Sequence, residues 1–104
     1  MSAPACDEEG YLLNLADWNE AVANTLAEQS NIALTTAHWE VIHALRSFYQ
    51  QFGLSPAMRP LCKYLKATLG AEKSSSIYLL QLFPGSPAKL AAKIAGLPKP
   101  DNCI

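Results

Sequence analysis

Three cysteines carry the most reactive side chains of this sequence, and each lies in a different context. Cys103 is the penultimate residue and follows a stretch in which Pro98 and Pro100 exclude a helix. Its thiol contributes nothing to a core there, so it is either an incidental cysteine or a lone reactive thiol. Cys62 lies in an apolar helical stripe and is predicted to be structural, whereas Cys6 lies in a polar segment and has no visible role.

Two histidines superficially resemble the pair on a zinc-protease helix. His38 and His43 are five residues apart, which separates them by about 140° around a helix axis, whereas the zinc motif needs a spacing of four on one face. We therefore predict no metal site, with one histidine at the surface or at a helix cap and the other packed against its neighbours. The sequence also lacks a glycine-rich phosphate loop and a nucleophile elbow, and no cofactor is expected.

Three basic residues, Arg59, Lys63 and Lys66, have the spacing i, i+4, i+7 and so share one face of a predicted helix. This row is either a solvated face or a docking surface for an acidic partner or for nucleic acid. Only Tyr64 adds an aromatic ring nearby, and the net charge is −1. Both observations argue against broad affinity for nucleic acid.

Length and composition describe one globular domain over residues 1–104, half apolar and 16% charged. No stretch approaches the roughly 20 apolar residues of a membrane helix, and the N-terminus does not resemble a signal peptide, so we expect a cytoplasmic protein. The odd number of cysteines without a CxxC pair fits neither a disulfide framework nor a zinc knuckle. Residues 1–45 carry seven acidic and no basic residues, while residues 46–104 carry eight Lys/Arg and two acidic ones, which favours attraction between the two halves.

The elements that must position these residues are predicted to be all helical, because the apolar residues recur at helical spacing from about residue 16 onward. Asp17 and Thr35 are predicted caps, Ser55-Pro56 and Ser86-Pro87 are cap-proline signals, and Gly53 and Gly70 are stop signals. These signals predict five helices over about 17–30, 36–52, 56–69, 76–83 and 86–95.

One corner of this all-α architecture has the form of a helix-turn-helix, with Gly53-Leu54-Ser55 as its connection. This corner is a weak indication of DNA binding, because most corners of this form only pack two helices against each other. Pro60 lies inside the predicted third helix and is expected to produce a kink or a tight first turn.

Both ends of the chain are predicted to lie outside the helices. The turn signal at residues 7–10 is compatible with a small N-terminal β element before Tyr11. After Gly96 two prolines exclude a helix and no apolar pattern promises burial, which predicts a mobile C-terminal arm over residues 96–104, hinged at Gly96. The alternative is that Leu97 and Ile104 dock the arm onto the helices. Fully extended, this arm spans up to about 30 Å at roughly 3.3 Å per residue.

The residues of the arm resemble the C-terminal arm of the DsrC/TusE family of sulfur carriers, in which a terminal motif is followed by a penultimate cysteine. The matching arm is Lys93-Ile94-Ala95-Gly96-Leu97-Pro98-Lys99-Pro100 with Cys103. Further matching pieces run in order along the chain: Gly10-Tyr11-Leu12, His38-Trp39-Glu40-Val41, Phe48-Tyr49, Ser55-Pro56-Ala57-Met58-Arg59, Tyr78-Leu79, Leu82-Phe83-Pro84 and Pro87-Ala88-Lys89. The resemblance implies a sulfurtransferase that carries sulfur as a persulfide on Cys103.

One departure from the family pattern distinguishes its branches. DsrC-type members have a second arm cysteine eleven residues before the last, and Ala92 occupies that position here. The resemblance therefore implies the single-cysteine, TusE-like branch, with a TusBCD-like donor complex and a tRNA 2-thiouridylase as acceptor, alone or with bound tRNA, in a relay toward wobble 2-thiouridine. The alternatives are a DsrC-like partner of dissimilatory sulfite reductase (the gamma-subunit type) and a regulatory family member that binds DNA or protein.

Overall fold

A computed structural model describes residues 5–100, so Cys103 lies outside the described residues. It contains five α-helices and two short 3-10 turns, and it confirms the all-α prediction. The helices are α1 (Glu20–Gln29), α2 (Thr36–Phe52), α3 (Met58–Leu69), α4 (Ser76–Leu82) and α5 (Pro87–Ile94), and the 3-10 turns are Leu15–Asp17 and Ala71–Lys73.

Two of the predicted helix starts are wrong by two to three residues. Asn19 caps α1, accepting a hydrogen bond from the Val22 N–H, while Asp17 ends the 3-10 turn before it. Helix α3 begins at Met58 after Ala57, because Ser55 points into the body of the protein.

The late start of α3 also explains how the helix holds a proline. Pro60 is the third residue of α3, and the first four N–H groups of a helix have no partner within it. The first hydrogen bond of the i to i−4 type runs from the Leu61 N–H to the Ala57 carbonyl. Pro60 therefore removes no hydrogen bond from the helix, in agreement with the predicted tight first turn.

Helix α5 lies at the centre of the fold and contacts all four other helices. Its buried positions are mostly small, which lets neighbouring helices approach closely. They are Pro87, Ala88, Ala91, Ala92 and Ile94. The largest core side chains around them come from the other helices and from the residue that follows α4, and include Leu26, Ile42, Leu45, Leu65 and Phe83.

The N-terminal β element is reduced to one antiparallel bridge between Cys6 and Leu12, and residues 5–100 contain no other bridge or strand. The Asp7 carboxylate accepts hydrogen bonds from the N–H groups of Glu9 and Tyr11 and so holds the turn. Tyr11 is buried, and the ammonium of Lys93 lies 5.3 Å from the centre of its ring. The turn is thereby fixed on α5 near its C-terminal end.

Candidate functional site

The described part of the C-terminal arm begins with a tightly defined helix end. Gly96 adopts φ +73°, its N–H donates to the Lys93 carbonyl at 3.1 Å, and the Leu97 N–H donates to the Ala92 carbonyl at 2.9 Å. These two bonds form a Schellman motif, in which a left-handed residue ends the helix and the next residue turns back to the core. The predicted hinge at Gly96 is thus a closed turn in this structure.

Two side chains from distant parts of the chain hold this turn. The indole Nε1–H of Trp18 donates to the Ile94 carbonyl at 2.9 Å, and Arg46 Nη1 donates to the Ala95 carbonyl at 2.6 Å. The guanidinium also lies 4.0 Å from the centre of the Trp18 ring, a cation–π contact. Burial lowers the pKa of Arg46 from its ordinary value, and the guanidinium is still charged at neutral pH.

The five residues after α5, which we call the arm root (residues 96–100), pack against the helices. Leu97 and Pro100 are buried, so at Leu97 the arm root is docked on the helices, as the alternative to a mobile arm predicts. The nearly buried Ser55 donates its Oγ–H to the Pro98 carbonyl at 2.6 Å. Residues 101–104, on which the prediction of a mobile arm also rests, lie outside the described residues.

A single ion pair also links the arm root to the N-terminal turn. Lys99 Nζ lies 2.9 Å from Glu9 Oε2, with both side chains about half exposed. An exposed pair of this kind contributes little stability, about 0–1 kcal/mol. The packing of Leu97 and the hydrogen bond from Ser55 therefore hold the arm root more strongly than this pair does.

An open cavity of about 440 Å³ lies between the arm root and the connection from α2 to α3. Its lining is mainly apolar and includes Phe48, Leu54, Pro56, Pro60, Pro98 and Lys99. We call it the corner groove. One wall of it is the arm root itself, so any protein that fills the groove touches the chain a few residues before Cys103.

The histidines have the structural roles that the sequence analysis expected. His38 is buried, and its Nδ1 accepts from the Thr35 N–H at the start of α2. Its Nε2 lies 2.8 Å from the Leu82 carbonyl, and because a carbonyl can only accept, Nε2 carries the proton. His43 is exposed and stacks on Trp39. Within residues 5–100 no group of side chains is arranged to hold a metal ion.

The two described cysteines are both partly buried. Cys62 packs against the core from α3, and burial raises the pKa of its thiol above the ordinary 9.0. Burial and the nearby Asp7 raise the pKa of Cys6, and Lys93 offsets part of this effect. Both thiols are therefore protonated at neutral pH and are weak nucleophiles, which agrees with a structural role for Cys62.

The basic row lies on the exposed face of α3, as the sequence predicted. Arg59, Lys63 and Lys66 are exposed, and among the described residues none of them has an acidic partner within ion-pair distance. The two lysine–carboxylate pairs of the described chain, Lys73 with Glu40 and Lys99 with Glu9, each join the basic half to the acidic half. The attraction between halves is thus present, but it does not use the basic row.

None of the helices in residues 5–100 is both long and apolar enough to cross a membrane. The candidate site is the C-terminal segment of a small helical domain. Its first residues are held against the helices, and Cys103 is the penultimate residue of the sequence. These features define a class of small helical domains whose C-terminal segment is held against the helices after α5. A protein-family model described as "DsrC like protein" matches residues 2–104, and the chain belongs to this family.

Similar proteins cover nearly the whole chain. The chain is 56% identical over 98 residues to a protein named Sulfurtransferase TusE from Yersinia pseudotuberculosis, covering 94% of this chain and 91% of that protein. A protein of the same name from Pectobacterium atrosepticum is 55% identical over 100 residues, covering 96% and 92%.

Solved structures of DsrC proteins have the same fold. The solution structure of Allochromatium vinosum DsrC matches with a TM-score of 0.87 and 50% identity, covering 96% of this chain and 89% of that one. The oxidized gamma-subunit of the dissimilatory sulfite reductase (DsrC) from Archaeoglobus fulgidus matches with a TM-score of 0.82 and 38% identity, covering 97% and 92%.

Proposed function

We propose that this protein is a sulfurtransferase that carries sulfur as a persulfide on Cys103. The observation that carries the proposal is the match over nearly the full length to proteins named Sulfurtransferase TusE. The thiols of Cys6 and Cys62 support it by elimination, because both are partly buried and have raised pKa values. Cys103 lies beyond an arm root that the fold holds in place, which suits a thiol presented to other proteins.

The transfer is a thiol–persulfide exchange. The Cys103 thiolate attacks the outer sulfur of a donor persulfide, a new S–S bond forms on Cys103, and the donor's S–S bond breaks to release the donor thiolate. No external oxidant or reductant is needed. The same exchange in the next step transfers the outer sulfur to an acceptor thiolate and regenerates the thiolate of Cys103.

The finer steps of the relay are part of the same proposal. The donor is a TusBCD-like complex and the acceptor is a tRNA 2-thiouridylase, alone or with bound tRNA, so that the sulfur reaches wobble 2-thiouridine. Such a relay works in the cytoplasm, where we therefore place the protein. This protein's own residues support the relay by holding the segment before Cys103: Trp18 and Arg46 bind the end of α5, and Ser55 binds the arm root.

Mass spectrometry after incubation with a small persulfide donor tests the carrier role. We expect a mass increase of one sulfur atom on the wild-type protein that a reducing agent removes. The Cys103→Ser variant should fold normally and remain unmodified, while Cys62→Ser and Cys6→Ser should still accept sulfur. Sulfur retained by Cys103→Ser would refute the assignment.

The second candidate function is that of a partner of dissimilatory sulfite reductase, as the name of the Archaeoglobus fulgidus neighbour describes for that protein. Ala92 argues against the disulfide chemistry of such a partner, because one arm thiol cannot form an intramolecular disulfide within the arm. A regulatory member that binds DNA or protein through the helix-turn-helix is the remaining alternative. Tight binding to purified sulfite reductase without sulfur loading would favour the second candidate.

A further inference from the structure

The corner between α2 and α3 exposes large apolar side chains. Phe52 at the end of α2 is 56% exposed, and Leu54 in the connection is 53% exposed. They lie beside the corner groove, whose lining includes Leu54 and Pro60. Exposed apolar residues next to an apolar groove are typical of a surface that another protein covers.

The basic row borders this apolar area on α3. At 100° per residue, Arg59, Lys63 and Lys66 occupy a stripe about 60° wide, and Pro60 of the groove lies next to that stripe on the helix. Since no described carboxylate pairs with these three residues, their charge is available to a partner. The area is thus apolar at its centre and basic along one side.

We propose that this area, the corner surface, is the docking site for a relay protein whose matching surface has an apolar centre and an acidic rim. The inference rests on the proposed function for the choice of partner. The corner groove and the arm root share a wall at Pro98 and Lys99. Cys103 follows Pro100 by three residues in the sequence, a separation of at most about 10 Å at roughly 3.3 Å per residue, so a protein that engages the thiol is within reach of the groove.

A nucleic acid fits the same surface less well. Three cations neutralise few phosphates, and the faces of the aromatic rings are partly occupied. The Phe52 ring centre lies 4.5 Å from that of Phe48, and Tyr64 packs edge-on against Phe48. A protein with apolar side chains for the groove and carboxylates for the row uses both features of the corner surface.

The test measures Kd for the purified TusBCD-like complex and for the purified 2-thiouridylase, by titration at two salt concentrations. We expect Lys63→Glu and Leu54→Ala each to weaken binding of at least one of these proteins by roughly tenfold. The matched controls are Lys89→Glu on α5 and Leu13→Ala, a leucine that is 67% exposed, and both should bind like the wild type. Higher salt should weaken wild-type binding and have less effect on Lys63→Glu.

Separate measurements distinguish failure of this inference from failure of the proposed function. Cys103→Ser should dock with wild-type affinity, and all corner variants should accept sulfur from a small persulfide donor as well as the wild type. The docking site would be overturned if the wild type bound neither protein. It would also be overturned if Lys63→Glu and Leu54→Ala bound both proteins as tightly as the wild type does. Either result would count even if Cys103 accepts sulfur. Tight binding of free tRNA that Lys63→Glu abolishes would overturn it as well, because the row would then bind nucleic acid.

Discussion

Replacement of Gly96 by alanine is expected to destabilise the protein more than the same replacement at any of its other glycines. Gly96 has φ +73°, and an added Cβ would lie 2.3 Å from Trp18 Cδ1. The left-handed conformation costs alanine about 1–2 kcal/mol. The indole must also move away, which loses its hydrogen bond to the Ile94 carbonyl, worth about 1 kcal/mol, and disturbs packing at about 1–3 kcal/mol.

Gly53 provides the matched control for this substitution. It has nearly the same backbone angle, φ +71°, but no atom lies within 4 Å of an added Cβ. Gly53→Ala should therefore cost only the backbone contribution of about 1–2 kcal/mol, while Gly96→Ala should cost about 3–6 kcal/mol. The difference between the two variants measures the close contact with Trp18.

Urea denaturation followed by tryptophan fluorescence measures both free energies of unfolding. The midpoint should fall much further for Gly96→Ala, with an unchanged slope if the unfolded state is the same. In the double variant Trp18→Ala/Gly96→Ala, the second substitution should cost much less than it does alone. Equal losses for Gly53→Ala and Gly96→Ala would refute the argument that Trp18 closes the turn.

Ser55→Ala should cost about 1–2 kcal/mol and speed amide hydrogen exchange in the arm root, because the Pro98 carbonyl loses its 2.6 Å bond; unchanged exchange would argue against this clasp. The raised pKa of Cys62 predicts that alkylation of this thiol reaches half its maximal rate above pH 9.0, measured by mass spectrometry of each cysteine; a midpoint below that value would contradict its burial. Ala92→Cys should form an intramolecular disulfide with Cys103 under mild oxidation. Because Ala92 is fully buried, we expect the bond to form faster when Ser55→Ala loosens the arm root; a variant that stays reduced would show that the arm does not fold back.

The sequence alone determined the parts of this protein that depend on neighbours along the chain. The periodic apolar residues predicted five helices, and Gly53 and Gly70 predicted where α2 and α3 end, because a glycine can adopt the positive φ that follows a helix. Cys103 was recognisable as a cysteine outside the core for the same reason, because the two prolines that precede it are close to it in the sequence. Small errors arose where several residues competed for one cap, as with Asp17 and Asn19.

Only the tertiary structure decided how the arm leaves the domain. Trp18 contacts a carbonyl 76 positions away, Arg46 one that is 49 positions away, and Ser55 one that is 43 positions away. Ser55 also had a plausible local role in the sequence, as the predicted cap of the third helix. Every residue has a backbone carbonyl, so the sequence does not indicate which distant donor binds a given one. These contacts therefore form only when the other helices enclose α5.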